Sequence, residues 1–193
     1  MPVQTALASQ AAGQLASWPA GQHAKATLPF QLSRQAPPNF NAMPDQLEFL
    51  MRPIGVILTP FTDEAQTPIQ PTRSQAIGQV EVDLKFAAGL QDVEGLSHLI
   101  LLYVFHRSVG YSLQVRPFLD DQAHGLFATR YPARPNPIGL SVVRLLARHG
   151  NQLEIEGVDM LDGTPLLDIK PYVPEFDVRT ETRTGWYEKR SLA

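Results

Sequence analysis

Beyond residue 52, apolar and polar residues alternate in short bursts separated by Gly, Pro, Asn and Asp. Ile54, Val56 and Leu58 alternate with Gly55, Ile57 and Thr59, which predicts a mostly buried strand closed by Pro60. Val80, Val82, Leu84 and Phe86 alternate with Gln79, Glu81, Asp83 and Lys85, the period-two pattern of a half-buried strand over 79–86. Residues 87–94 have room for one or two helical turns before Gly95. Residues 98–105 are apolar almost throughout, and their length and β-branched and aromatic content predict a strand covered on both faces rather than a helix. A short strand over 115–119 carries Pro117, a sheet-edge residue. Further strands are predicted over 139–147, from Leu153 to Val158 after a turn at Asn151, and over 166–169. Strand follows strand at turn-sized spacing with no long amphipathic helix between them. The expected fold is all-β: a small antiparallel β-barrel of six or seven strands with short helical turns, since closure leaves no exposed edge.

The start of the chain has another texture. From residue 1 to 44 the only charges are Lys25 and Arg34, and Ala, Gln, Ser and Pro dominate without apolar rhythm. Such a segment buries too little apolar surface to offset its ordering entropy. The chain therefore divides into residues 1–50, a disordered or loosely docked N-terminal extension, and residues 51–193, the barrel domain, with Met43 and Met51 as candidate starts of translation. Leu28, Phe30 and Phe40 are the side chains through which the extension would dock. It lacks the basic segment and solid apolar stretch of a secretory leader and the arginines of a transit peptide, so the expected location is cytoplasmic.

Composition narrows the chemistry. None of the 193 residues is Cys, which excludes disulfides, thiolate nucleophiles and cysteine-held metals. Net charge is −3, so any nucleic-acid contact must be a local patch. The longest apolar run, 99–105, is far short of the roughly 20 residues that span a bilayer. No glycine-rich dinucleotide loop, phosphate loop or zinc-protease helix occurs, and His98 and His106 lack a carboxylate at matching spacing, so no metal is expected. Charge is polarised. Between residues 98 and 150, Arg107, Arg116, Arg130, Arg134, Arg144 and Arg148 face only Asp120 and Asp121, whereas 151–168 holds five acids and no base. Arginines gathered on one surface would suit RNA, and arginines dispersed in ion pairs would suit a small-ligand barrel.

The distinctive segment is 125–141, GLFATRYPARPNPIGLS. Pro132, Pro135 and Pro137 fix φ and forbid helix, and a loop stiffened in advance loses little entropy when a ligand binds. Arg130 and Arg134 are planar donors for carboxylate or phosphate, Asn136 offers an amide, and Gly139 permits close backbone approach. The same features also describe a rigid crossover whose arginines pair with surface acids.

Four strings, IGVILTPF, VEGLSHLILLYVFHRS, GLFATRYPARPNPIGLSVVRLL and GVDMLDGTPLLDIKPYVPEFD, resemble the TsaA-like family over residues 52–186. This is the tRNA methyltransferase O family of S-adenosylmethionine-dependent enzymes. The resemblance implies a small barrel that binds S-adenosylmethionine outside any Rossmann crevice, in a homodimer, and N6-methylates threonylcarbamoyladenosine at position 37 of threonine tRNA. It implies cofactor contacts at Pro68, Ile69 and Gln70, where the family usually carries arginine in place of Ile69. Further contacts fall on His106, Arg107, Arg130, Leu140 and the turn Asp162, Gly163, Thr164 and Pro165. In that reading Arg130 meets the cofactor carboxylate, Asp162 its ribose or amine, and Leu140 covers adenine. His106 is the candidate catalytic proton acceptor, being the side chain with a suitable unperturbed pKa. Arg134, left without a cofactor atom, is the candidate tRNA contact. Two other readings compatible with these residues are a non-catalytic S-adenosylmethionine-binding barrel and a methyltransferase acting on a different substrate.

Overall fold

The computed structural model describes residues 49–189. The expectations for the N-terminal extension, including Leu28, Phe30 and Phe40, lie outside the described residues.

The strands are β1 (Gly55–Leu58), β2 (Ile77–Val82), β3 (His98–Val104), β4 (Gln114–Val115), β5 (His124–Gly125), β6 (Ile138–His149), β7 (Gln152–Glu156) and β8 (Thr164–Pro171). Six of them close into a barrel in the order β1-β2-β7-β6-β3-β8, each neighbour antiparallel to the next. β4 and β5 form a separate two-stranded ribbon. The α-helix described, α1 (Pro174–Asp177), is a single turn, and the other helical pieces are short 3₁₀ segments. The all-β barrel expected from the alternation is therefore the fold.

Alternation decides which side chains fill the barrel. On β3, Leu99, Leu101 and Tyr103 are buried and the intervening residues are half-buried. Val80 and Val82 of β2 and Leu153 and Ile155 of β7 do the same from the far wall. Ile57, Val143, Leu166, Val158 and Met160 complete the core. Burying each such side chain contributes about 1.5–3 kcal/mol before entropy is subtracted.

Two expected strands are shorter than their patterns. The apolar alternation over 79–86 continues past Val82, but the strand stops there and Leu84–Leu90 turns into a 3₁₀ helix. The reason is partnership. Val82 pairs with Gly55, the first residue of β1, and Glu81 with Gln152, the first of β7, so neither neighbour extends further. The strand expected over 115–119 ends at Val115, because Pro117 accepts from the Asp120 amide in a turn. β3 is covered on one face fully and on the other only in part.

β6 is long because it serves two neighbours. Its first half pairs with β3 and its second with β7, with a register shift between Leu145 and Ala147 where the strand bends around the barrel.

Candidate functional site at one end of the barrel

Strand directions alternate around the barrel, so β1, β3 and β7 all leave it at the same end. The connection following β1, the long connection through the proline-rich segment, and the link from β7 to β8 are thereby gathered there. Pro68, Ile69, Gln70, His106, Arg107, Arg130, Asp162 and Gly163 all lie on these three connections. Leu140 is the third residue of β6 counted from that end, and Thr164 and Pro165 open β8.

Hydrogen bonds tie the connections together. Arg130 Nη1 donates to Gln70 Oε1 at 2.7 Å, and Gln70 Nε2 donates to the Ile69 carbonyl at 2.7 Å. Arg107 Nη1 donates to the Thr62 carbonyl at 3.0 Å. From the opposite side, Asp162 Oδ1 accepts from the Thr59 amide at 2.9 Å, and the Asp162 amide donates to Phe61 O at 2.7 Å. Segment 59–62 is thus gripped by two residues far apart in sequence. Gly163 has φ +72°, where L side chains are strained, and open space lies where a Cβ would project. Thr164 Oγ1 closes this turn on the Leu161 carbonyl at 2.7 Å.

The other expected positions behave differently. His106 is exposed where the chain leaves β3, and Leu140 is half-exposed on the outer face of β6, opposite Leu102. Arg134 folds back on its own loop: Nη1 donates to the carbonyls of Thr129 at 3.0 Å and Tyr131 at 3.2 Å, and its guanidinium lies over the Phe127 ring. Trp186 stacks on His124, upstream of Arg130, at 4.3 Å between centroids and donates from Nε1 to the Ala128 carbonyl at 2.9 Å. His124 in turn reaches Asp120 at 3.0 Å.

A buried chain of polar groups beneath these loops went unmarked in the sequence. The Tyr103 hydroxyl lies 3.0 Å from Ser141 Oγ, and Ser141 donates to Asp159 Oδ1 at 2.6 Å. Burial pushes the Asp159 carboxyl up to about 6, against the opposing influence of the Ser141 hydrogen bond and the Arg130 charge. Burial, and next the charge of Asp159, hold the Tyr103 phenol well above its ordinary range. The Tyr103 ring also explains Gly139, since a Cβ there would run into it. The available signal was a serine on the inward phase of β6, between Gly139 and Val143.

The arginines separate into two groups. Arg144 pairs with Glu156 and Arg148 with Glu94, each at 2.9 Å. Among the described residues, Arg107, Arg130 and Arg134 have no carboxylate at ion-pair distance. Nor do the described residues contain a group of three or more side chains able to hold a metal ion.

Residues 56–178 match the tRNA-methyltransferase O N-terminal domain. The chain belongs to the tRNA methyltransferase O family. A probable S-adenosyl-L-methionine-binding protein of Pyrococcus abyssi is 58% identical over 72% of this chain and 76% of its own. The mouse tRNA (adenine(37)-N6)-methyltransferase is 38% identical over 66% of this chain, which spans only 32% of that enzyme. The crystal structure of TrmO from Pseudomonas aeruginosa aligns with a TM-score of 0.62 at 39% identity, covering 72% of this chain and 62% of that one. The loop-end contacts, Arg130 with Gln70 and Arg107 and Asp162 on segment 59–62, thus fall inside the domain that defines the tRNA methyltransferase O family.

Proposed function

We propose that this chain is an S-adenosylmethionine-dependent methyltransferase that N6-methylates threonylcarbamoyladenosine at position 37 of tRNA, threonine tRNA in particular. The observation that carries the reading is the Arg130–Gln70 hydrogen bond, which unites two of the family's cofactor segments from opposite parts of the sequence. The residues present suit the ligand. Among the described residues Arg130 offers a guanidinium with no carboxylate at ion-pair distance, and the Gly163 turn leaves open space where a side chain would project. S-adenosylmethionine supplies a methyl group already activated on a sulfonium, so the protein's task is alignment and exclusion of water.

Arg130 takes the carboxylate, Asp162 the ribose hydroxyls, and Leu140 covers the adenine. Pro68, Ile69 and Gln70 form the wall against which Arg130 is set. His106, exposed at the rim, is placed to take the proton released by the acceptor nitrogen. RNA is met by the arginines of the loop end, where Arg107 and Arg116 are exposed, with Arg134 part of that surface. A homodimer fits the same end, because Phe118, Phe127, Tyr131 and Leu140 leave apolar surface exposed around the loops. No helix among the described residues is long and apolar enough to cross a membrane.

A second reading, a cofactor-binding barrel without methyl transfer, is supported by a relative such as the Pyrococcus abyssi protein, which is named for S-adenosylmethionine binding alone. Purified protein incubated with tRNA and S-adenosylmethionine bearing a labelled methyl group decides between them. Mass spectrometry of the digested tRNA should find the label on the modified adenosine 37. Cofactor binding with unlabelled RNA would leave only the second reading standing.

A further inference from the structure

Asp159 is half-buried at the functional end of the barrel, and among the described residues no cationic side chain stands at ion-pair distance from it. The Ser141 hydroxyl that holds its Oδ1 is neutral and is itself held by Tyr103. A carboxylate removed from water without a counter-charge is expensive, and a group held this firmly is suited to receive a cation from outside. Its surroundings are parts already placed at the site. Asp162 lies three residues on, Leu140 precedes Ser141 on β6, and the Arg130 charge acts on both Asp159 and Tyr103. The charged and titratable groups bearing on Asp159 are thus Tyr103 from β3 and Arg130 from the proline-rich loop, with Ser141 making the contact from β6.

We infer that Asp159, oriented by Ser141 and Tyr103, binds the ammonium group at the amino-acid end of S-adenosylmethionine, with Arg130 taking the carboxylate. This rests on the cofactor reading above. An arginine and an aspartate together complement a zwitterion, each through a charge-assisted hydrogen bond. The sulfonium is the wrong partner for a carboxylate. Its charge vanishes as the methyl leaves, so an anion against it would stabilise the ground state more than the transition state. The ammonium keeps its charge throughout. Asp162, whose Oδ1 already holds the Thr59 amide, is left to the ribose.

The test is isothermal titration of the full chain, wild type and Asp159→Asn, with S-adenosylmethionine and with S-adenosylhomocysteine, which lacks the sulfonium but keeps the ammonium. At pH 7.5 Asp159→Asn should lose roughly ten- to a hundredfold in affinity for both ligands. Wild-type affinity should fall as pH drops below about 6, while that of Asp159→Asn stays flat. Ser141→Ala keeps the carboxylate but removes its orienting hydroxyl, and should weaken both ligands several-fold, which decides the matter if Asp159→Asn does not fold. Unchanged affinity for both ligands overturns the inference alone. So does a loss confined to S-adenosylmethionine, which would place Asp159 at the sulfonium. Retained affinity with lost turnover also overturns it, in favour of an acid–base role. Failure of the wild type to bind S-adenosylmethionine overturns both this inference and the reading beneath it.

Discussion

Arg130 and Gln70 are sixty residues apart in sequence and 2.7 Å apart in space. Neither residue lies in a barrel strand. What brings them together is the strand order, which sends the connections after β1 and after β3 out of the same end. The contact is charge-assisted on one side only, since Gln70 is neutral. Arg130 therefore keeps its full charge for a ligand, while its direction is set before one arrives.

Replacing Arg130 should accordingly damage binding more than folding. Arg130→Ala is expected to cost about 1.5–3 kcal/mol of S-adenosylmethionine affinity, with a change in melting temperature near zero because the side chain is exposed. Arg130→Lys should recover only part of the affinity, since a point charge does not reproduce a planar fork. Gln70→Ala should produce a smaller loss in the same direction. Titration calorimetry on the three variants checks the order. Wild-type affinity in Arg130→Ala would return the proline-rich segment to a purely structural role.

Arg134 should show the opposite balance. Its guanidinium supports the carbonyls of Thr129 and Tyr131, so Arg134→Ala leaves one partly buried acceptor, Thr129 O, and one exposed acceptor without this donor. A loss of about 1–3 kcal/mol in denaturant stability is expected. Amide exchange should accelerate first in residues 126–131. If stability and exchange stay unchanged while tRNA affinity falls with a reduced salt slope, Arg134 serves RNA alone.

Gly139 has no room for a methyl group because Tyr103 packs directly over it. Gly139→Ala should therefore cost about 1–3 kcal/mol, and Gly139→Ala with Tyr103→Leu should recover much of it by opening the space. Additive losses in a double-mutant cycle would show that the two positions do not clash.

Asp159 gives the barrel a pH signature. Its carboxyl titrates at about 6 when folded, against 3.8 for an ordinary aspartate, so the folded state holds the proton more tightly than the unfolded chain. For a raised acid, stability is fullest below the unfolded value and declines as pH climbs from about 4 through 6. The decline amounts to about 3 kcal/mol at most. Asp159→Asn should lack that slope and melt higher than the wild type at pH 7.5, with the gap closing near pH 4. Parallel curves for the two proteins across this range would show that Asp159 is ionised freely in the fold.

The sequence announced the walls of this molecule better than its interior. Period-two alternation marked β1 and β2, and short apolar runs between turn residues marked the other four barrel strands, because burial in a closed sheet leaves both imprints. The alternation overran at Leu84 and Phe86, where the number of partners, a property of the neighbouring strands, decided the end of β2. The site was legible only in pieces. Arg130 stood out within its prolines and Gln70 did not, since their contact depends on barrel closure. Ser141 and Asp159 were hidden for a different reason. A single hydroxyl on the inward phase of a strand looks like a tolerated small residue until the carboxylate it serves is in place.

Closure of the ring also dictates when this protein can become itself. Ile57 pairs with Thr164, and β8 is the neighbour of both β1 and β3. During synthesis the earlier strands emerge first, yet β1 has only β2 beside it and β3 only β6 until the last strand leaves the ribosome. Until then the nascent chain carries two open strand edges, the surfaces most prone to pairing with another chain. The long delay is the kinetic cost of a contact pattern dominated by distant pairs. Aggregated chains should accumulate in proportion to how long β8 is withheld, so delaying its synthesis should worsen the yield.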